Sequence, residues 1–149
     1  MALFSPPRKP SSPLASMRGD HAGVRVPDFD AAVAWYTEKL DFRLTATTEA
    51  VGLKWGFLAP PDDDDFQIEI AAGPGAVDRP GAGEIEASLG QRGWHHLCLK
   101  VDSIEDTLAE LGRRGVTIVA GPLEYEPIRR RGGFFADPWG NLIEIIQDA

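Results

Sequence analysis

His21-Ala-Gly-Val-Arg-Val26 recurs 75 positions later as His96-Leu-Cys-Leu-Lys-Val101, and this repeat decides the fold. At the same offset, Gln67-Ile-Glu-Ile70 aligns with Leu142-Ile-Glu-Ile145 without a gap. Chance similarity between apolar strands is common, but it does not ordinarily align His with His and Glu with Glu at one offset. The chain therefore contains two copies of one unit.

Both copies have the same order of predicted elements. An alternating segment predicts a half-buried strand, and a capping residue, Asp28 or Ser103, predicts the start of an amphipathic helix. Three further strands follow in each copy. The apolar helix positions are Phe29, Val33, Tyr36 and Leu40 in the first copy and Ile104, Leu108 and Leu111 in the second. We expect an α+β fold of two tandem βαβββ modules that form a curved mixed sheet.

The composition of each segment predicts the domain organisation. Residues 1–19 are rich in proline and serine and are expected to form a disordered tail. Residues 20–147 are expected to form one domain, made of the repeats 20–72 and 95–147. The intervening segment, 73–94, is rich in glycine and proline and is predicted to be a connecting loop.

Charge and cysteine content exclude several classes of function. The formal net charge of -8 would repel a phosphate backbone, so nucleic acid is not an expected partner. No apolar run approaches the roughly 20 residues of a membrane span. Cys98 is the only cysteine, which rules out an intrachain disulfide and is consistent with a reducing compartment. We therefore expect a cytoplasmic protein.

Strand alternation places the polar residues that align at the 75-residue offset on one side of the sheet. Side chains of a strand point to opposite faces with a period of two. Glu69 therefore lies opposite Ile68 and Ile70, and the same rule separates each histidine from its aliphatic neighbours. The four polar residues that share the non-aliphatic face are His21, Glu69, His96 and Glu144. By the same alternation, His95 is expected to lie on the opposite face and to point away.

These four residues have the chemistry of a metal site. A carboxylate flanked by isoleucines in an interior strand is costly unless a cation compensates its charge. Two imidazoles and two carboxylates from matching half-units can converge on one divalent ion. The mixed nitrogen and oxygen ligands are suited to Zn, Ni, Co, Mn or Fe(II). The predicted sheet is therefore expected to curve around one metal site.

Cationic side chains near this face predict an anionic small-molecule substrate. Arg25 and Lys100 share the face of the predicted ligands and are charge-assisted donors. Arg131 ends a basic segment, 129–131, within an acidic protein. For all three, the alternative is an exposed position at a strand end or in a solvated turn.

The combined pattern resembles the vicinal oxygen chelate superfamily of glyoxalase I, epimerases, extradiol dioxygenases and bleomycin resistance proteins. The resemblance covers about residues 20–147 and includes Asp137-Pro-Trp-Gly-Asn-Leu-Ile-Glu144, a fairly specific element. The four-ligand set His21, Glu69, His96 and Glu144 is most similar to that of glyoxalase I. The resemblance alone also implies a homodimer.

Similarity to glyoxalase I implies a metal-dependent lyase or isomerase with Glu144 and Glu69 as catalytic residues. In that family, a glutamate matching Glu144 moves a proton between adjacent carbons through a metal-stabilised enediolate, and an arginine matching Arg25 contacts glutathione. Gly73 stands where the family carries an asparagine, so the resemblance does not predict glutathione as the cosubstrate.

Two alternative functions remain open. His21, His96 and Glu144 could form the two-histidine, one-carboxylate triad of an Fe(II)-dependent extradiol-type dioxygenase. That chemistry usually needs a further histidine in the pocket, and His95 is expected to point away. A noncatalytic small-molecule-binding or antibiotic-resistance protein is the third possibility, although such relatives often lose the metal ligands.

Overall fold

The computed structural model describes residues 6–80 and 83–148 and contains both predicted modules. The elements of the first module are β1 (His21–Val26), α1 (Phe29–Leu40), β2 (Arg43–Ala50), β3 (Leu53–Ala59) and β4 (Gln67–Ala72). A single helical turn, α2 (Ile85–Ser88), lies between the modules. The elements of the second module are β5 (His96–Lys100), α3 (Ile104–Arg113), β6 (Thr117–Tyr125), β7 (Arg130–Ala136) and β8 (Leu142–Asp148).

Each module forms its own four-stranded sheet, with the strand orders β1-β4-β3-β2 and β5-β8-β7-β6. The first strand of each module pairs in parallel with the last strand, and the remaining pairs are antiparallel. Both sheets are therefore mixed. The predicted α+β class and the tandem βαβββ modules are confirmed.

The helices begin where the capping residues predict. The Asp28 carboxylate accepts a hydrogen bond from Ala31 N at 2.8 Å, and the Ser103 hydroxyl accepts one from Asp106 N at 3.2 Å. Both bonds satisfy backbone donors that the first turn of a helix leaves unpaired. The helices consequently start at matching points of the two modules.

One hydrophobic core joins the two modules. Ile68 and Ile70 of β4 and Ile143 and Ile145 of β8 are at most 2% exposed and belong to the same cluster. The helices contribute Phe29, Ala32 and Tyr36 from α1 and Ile104, Leu108 and Leu111 from α3. The buried faces of both sheets therefore point toward the helices, and Glu69 and Glu144 lie on the opposite faces.

A buried hydrogen bond connects the first module to the second. The Tyr36 hydroxyl donates to Asp137 Oδ2 at 3.1 Å, and both residues are almost fully buried. Asp137 also accepts from the backbone N–H groups of Trp139 and Asn141 and from the Asn141 side chain. Burial and the Asp137 charge raise the pKa of Tyr36 well above its ordinary value.

Tyr36→Phe is expected to lower the free energy of unfolding by about 1–3 kcal/mol, because Asp137 stays buried and loses a donor. The difference should shrink above about pH 10, where an unfolded tyrosine ionises while the folded one stays protonated. The raised pKa thus stabilises the wild type below pH 10, and this stability is lost as the pH rises. Urea unfolding of both proteins at pH 8 and pH 11 measures this, and a pH-independent difference would contradict it.

The structure describes most of the two segments that lie outside the predicted modules. The 73–94 loop is not irregular throughout, because α2 forms within it and buries Ser88. The first five residues of the predicted disordered tail lie outside the described residues. Residues 10–16 form turns, almost all of residues 6–19 are exposed, and the disorder of this segment stays a prediction.

Among the helices of residues 6–80 and 83–148, none combines the length and the hydropathy that a bilayer crossing requires.

Candidate metal centre

The first half-site consists of His21 on β1 and Glu69 on β4. Parallel pairing of these strands brings the two side chains together, with His21 Nε2 at 3.7 Å from Glu69 Oε2. Gly23 is paired with Glu69 and leaves room beside its carboxylate, since an added Cβ would lie 3.5 Å from Glu69 Oε2. Phe57 of β3 packs edge-on against the His21 ring at 5.6 Å.

The second half-site consists of His96 on β5 and Glu144 on β8. His96 Nε2 lies 3.0 Å from Glu144 Oε2, and Phe134 packs edge-on against the His96 ring at 5.2 Å. Cys98 occupies the position of Gly23 and is paired with Glu144. The two half-sites thus repeat the same His, Glu and Phe arrangement. The carboxylate of the second half-site is the more buried one, with its side chain 12% exposed against 22% for Glu69.

The structure assembles the predicted ligands into two pairs and does not join the pairs. Among residues 6–80 and 83–148, no three His, Cys, Asp or Glu side chains are grouped closely enough to hold a metal ion. A single copy of the chain therefore offers two incomplete sites, each with one imidazole and one carboxylate.

The electrostatics of each half-site are dominated by carboxylates. A hydrogen bond to Asp20 raises the pKa of His21, and the Glu69 charge adds to this, although burial opposes it. Burial, together with the Glu144 carboxylate, raises the pKa of the Cys98 thiol to about 12. At neutral pH, Cys98 is therefore a neutral thiol, which is the less nucleophilic form of cysteine.

His95 does not point away from the candidate site, so that prediction is wrong. Its Nδ1 lies 2.8 Å from His96 Nδ1, and the two rings are nearly perpendicular with centroids 5.1 Å apart. The period-two rule does not apply to this residue, because β5 begins at His96. Gly93, with φ of +119°, bends the chain just before it.

Tyr125 is a neighbour of Glu144 that the sequence does not predict. Burial and a hydrogen bond to Glu144 raise the pKa of the Tyr125 hydroxyl to about 12. Its ring lies over Gly132, where an added Cβ would come within 2.5 Å of it. The position equivalent to Tyr125 in the first repeat is Ala50, so the repeat does not predict this contact. The one indication in the sequence is Gly132, which leaves space for the Tyr125 ring.

Arg25 contacts the end of its own sheet. Its guanidinium donates to the carbonyl oxygens of Val26, Ala71, Gly73 and Pro74, the last at 2.7 Å. These carbonyls lie at the ends of β1 and β4. The predicted substrate contact of Arg25 stays a prediction, and the hydrogen bonds give this residue a structural role.

The other two predicted substrate-binding cations form ion pairs. Lys100 is paired with Asp148, and Arg131 is paired with Glu105 and with Glu124, the latter at 2.6 Å. Exposed pairs of this kind contribute little to stability and can exchange partners. Substrate binding by Lys100 or Arg131 stays a prediction that requires such an exchange.

Arg25→Met is expected to lower the free energy of unfolding by about 1–3 kcal/mol, because the substitution removes charge-assisted bonds to four carbonyls. Chemical denaturation measures the change, and Arg92→Met, at an exposed arginine, is the control. Unchanged stability combined with a raised KM for an anionic substrate would instead assign Arg25 to substrate binding.

A comparison with models of known families matches most of the chain. Residues 18–145 match the model of the glyoxalase, bleomycin resistance protein and dioxygenase superfamily. The chain belongs to this superfamily. The chain is also 30% identical over 124 residues to the uncharacterized protein YurT of Bacillus subtilis, and the match covers 83% of the chain and 94% of YurT.

Two proteins whose names describe a role are also similar to the chain. The lactoylglutathione lyase of Schizosaccharomyces pombe is 26% identical over 129 residues, which are 70% of this chain and 39% of the lyase. TnmS3, an antibiotic binding protein from Streptomyces sp. CB03234, is 25% identical in sequence to this chain. Its crystal structure superimposes on the chain with a TM-score of 0.65. That match covers 89% of this chain and 97% of TnmS3. The relatives thus include an enzyme and a binding protein.

Proposed function

We propose that the protein is a divalent-metal-dependent, glyoxalase-like lyase or isomerase that acts on a small substrate with two neighbouring oxygen atoms. The observation that carries this proposal is the repetition of one His–Glu pair in both modules, with His Nε2 facing a Glu oxygen in each. Superfamily membership and similarity to a lactoylglutathione lyase support it.

The side chains present fit a divalent ion. The two half-sites together supply two neutral nitrogens and two carboxylates, a set suited to Zn, Ni, Co, Mn or Fe(II). Among the described residues, neither Glu69 nor Glu144 forms an ion pair with a lysine or an arginine. Two partly buried carboxylates without a cation are costly, and one divalent ion balances both charges.

A complete four-ligand site requires a second copy of the chain. The first half-site and the second half-site do not converge within one copy, whereas β1 and β5 are both edge strands of their sheets. A two-fold homodimer can place the first half-site of each copy beside the second half-site of the other. Such a dimer contains two equivalent four-ligand sites, and each copy contributes half of both.

Burial and neighbouring side chains favour different roles for the two carboxylates. A bound divalent ion would polarise the substrate oxygens and stabilise the negative charge that develops on them. Glu144 is the better candidate for moving a proton between adjacent substrate carbons, because it is the more buried carboxylate and lies beside Tyr125 and Cys98. Glu69, which is more exposed, is the second catalytic candidate.

The contacts of His95 do not favour the dioxygenase alternative. Its Nδ1 faces His96 and its Nε2 lies 2.7 Å from Ser88 Oγ, so both ring nitrogens are engaged by the protein. A histidine that exchanges protons with a substrate needs one ring nitrogen within reach of it. A binding function like that of TnmS3 is the remaining alternative, and both His–Glu pairs favour an enzyme over it.

The proposal is tested by metal analysis followed by a proton-transfer assay. We expect about one divalent ion per chain in the purified protein, since a two-fold dimer has two equivalent sites. The protein should convert hemithioacetals of small 2-oxoaldehydes into hydroxyacyl thioesters. In deuterated water, deuterium from the solvent should be found on the carbon that receives the transferred proton. The proposal would be contradicted if the protein bound no divalent ion. It would also be contradicted if the protein consumed oxygen when supplied with Fe(II) and a catechol.

A further inference from the structure

The residue that precedes each histidine of the half-sites contacts its ring. Asp20 and His95 occupy equivalent positions of the repeat. Asp20 Oδ2 lies 2.6 Å from His21 Nδ1, and His95 Nδ1 lies 2.8 Å from His96 Nδ1. In both modules, therefore, the Nδ1 atom is engaged by the preceding residue and the Nε2 atom faces the glutamate.

The contacts of Ser88 determine which groups donate and which accept in the hydrogen bonds of His95. The Ser88 hydroxyl donates its single proton to the Ile85 carbonyl oxygen at 2.7 Å. Ser88 Oγ can therefore only accept from His95 Nε2, which lies 2.7 Å away. A neutral His95 with a proton on Nε2 has a bare Nδ1, so the proton between the two histidines belongs to His96 Nδ1.

We propose that Asp20 and His95 are positioning residues that hold a proton on Nδ1 of His21 and His96 and so direct the Nε2 lone pairs toward the metal ion. This inference rests on the proposed metal site. Histidine ligands usually donate their second N–H to a carboxylate or another acceptor, which fixes the tautomer and the ring orientation. Here, the repeat supplies a different acceptor in each module.

The two acceptors make the two histidine ligands unequal. Asp20 is a carboxylate, and its charge increases the basicity of the imidazole that it contacts. The acceptor in His95 is a ring nitrogen and not a carboxylate, and the orientation of this ring depends on Ser88, which lies in α2 of the connecting segment. The second half-site is therefore coupled through His95 to α2 of the segment between the modules.

Tautomers measured without metal test the inference independently of the proposed function. In metal-free protein labelled with ¹⁵N, long-range correlations between ring protons and ring nitrogens should show a protonated Nδ1 in His96 and a bare Nδ1 with a protonated Nε2 in His95. With bound Zn²⁺, His96 should keep its proton on Nδ1 and bind the ion through Nε2, and His95 should keep its tautomer. A bare Nδ1 in His96 would overturn the proposal in either state.

Metal affinity of variants provides the second test, with Zn²⁺ as the probe in competition with a chromophoric chelator. His95→Phe retains an aromatic ring without an acceptor and should weaken binding by about 10–100-fold. His95→Asn retains an acceptor near the Nδ1 position and should recover most of the loss. Asp20→Ala should weaken binding by a similar factor, and Asp20→Asn by less.

The control is Trp94→Phe, a substitution of the neighbouring residue, whose side chain is 94% exposed. It should leave Zn²⁺ affinity unchanged. Wild-type affinity in both folded His95→Phe and folded Asp20→Ala would overturn the positioning roles. If the wild type binds no divalent ion, the proposed function fails, whereas the tautomer measurement still decides the direction of the hydrogen bonds.

Discussion

Glu144→Gln is expected to remove the divalent ion from the purified protein. Glutamine has the same shape but replaces a charged oxygen ligand by a weak, neutral one, in a half-site whose carboxylate is only 12% exposed. The loss of metal affinity should exceed the roughly 10–100-fold loss that follows when a residue that only contacts a ligand is removed. Proton-transfer activity should fall at least as much, since the same side chain is the proposed base.

Elemental analysis after gel filtration and Zn²⁺ competition titrations measure this effect. Glu69→Gln should also lose the ion, because it removes the matching ligand of the first half-site. Glu126→Gln is the control, since Glu126 is an exposed carboxylate in the same module as Glu144. Full metal occupancy and unchanged affinity in Glu144→Gln would exclude this residue as a ligand.

Mixing two inactive variants is expected to restore the site. In a heterodimer of Glu69→Gln and Glu144→Gln chains, one of the two shared sites combines the intact first half-site of one copy with the intact second half-site of the other. Random pairing makes half of the dimers mixed, so about one quarter of the wild-type metal content should return. Neither variant alone should bind the ion.

Coexpression with two different affinity tags isolates the heterodimer, which should bind about one ion per dimer. The matched control combines Glu69→Gln with His21→Ala. Both substitutions damage the first half-site, so no intact site can form in that heterodimer. Absence of recovery in the Glu69→Gln and Glu144→Gln pair would contradict the shared arrangement.

The parts of this structure that the sequence predicts are those that depend on local periodicity and on the repeat. Alternation along β4 and β8 correctly separates Glu69 from Ile68 and Ile70, and Glu144 from its isoleucine neighbours. Capping by Asp28 and Ser103 correctly predicts where the helices begin. These features follow from backbone geometry, which acts within a few residues.

The features that the sequence does not predict depend on tertiary contacts or on strand boundaries. His95 lies one residue before β5, so alternation gave the wrong orientation for its ring. Tyr125 is the last residue of β6, and its contact with Glu144 of β8 is a tertiary contact. Most partners of the three predicted substrate-binding cations, among them Pro74, Asp148 and Glu105, come from distant segments, and no local pattern specifies them.

The separation of the two half-sites has a consequence for dilute solutions. If each ion is held by two copies, dissociation of the dimer divides every site, and binding of the ion and association of the chains stabilise each other. Apparent metal affinity then rises with protein concentration. A chelator would promote monomers, and a substitution at the subunit contact, far from any ligand, would be detected first as loss of metal.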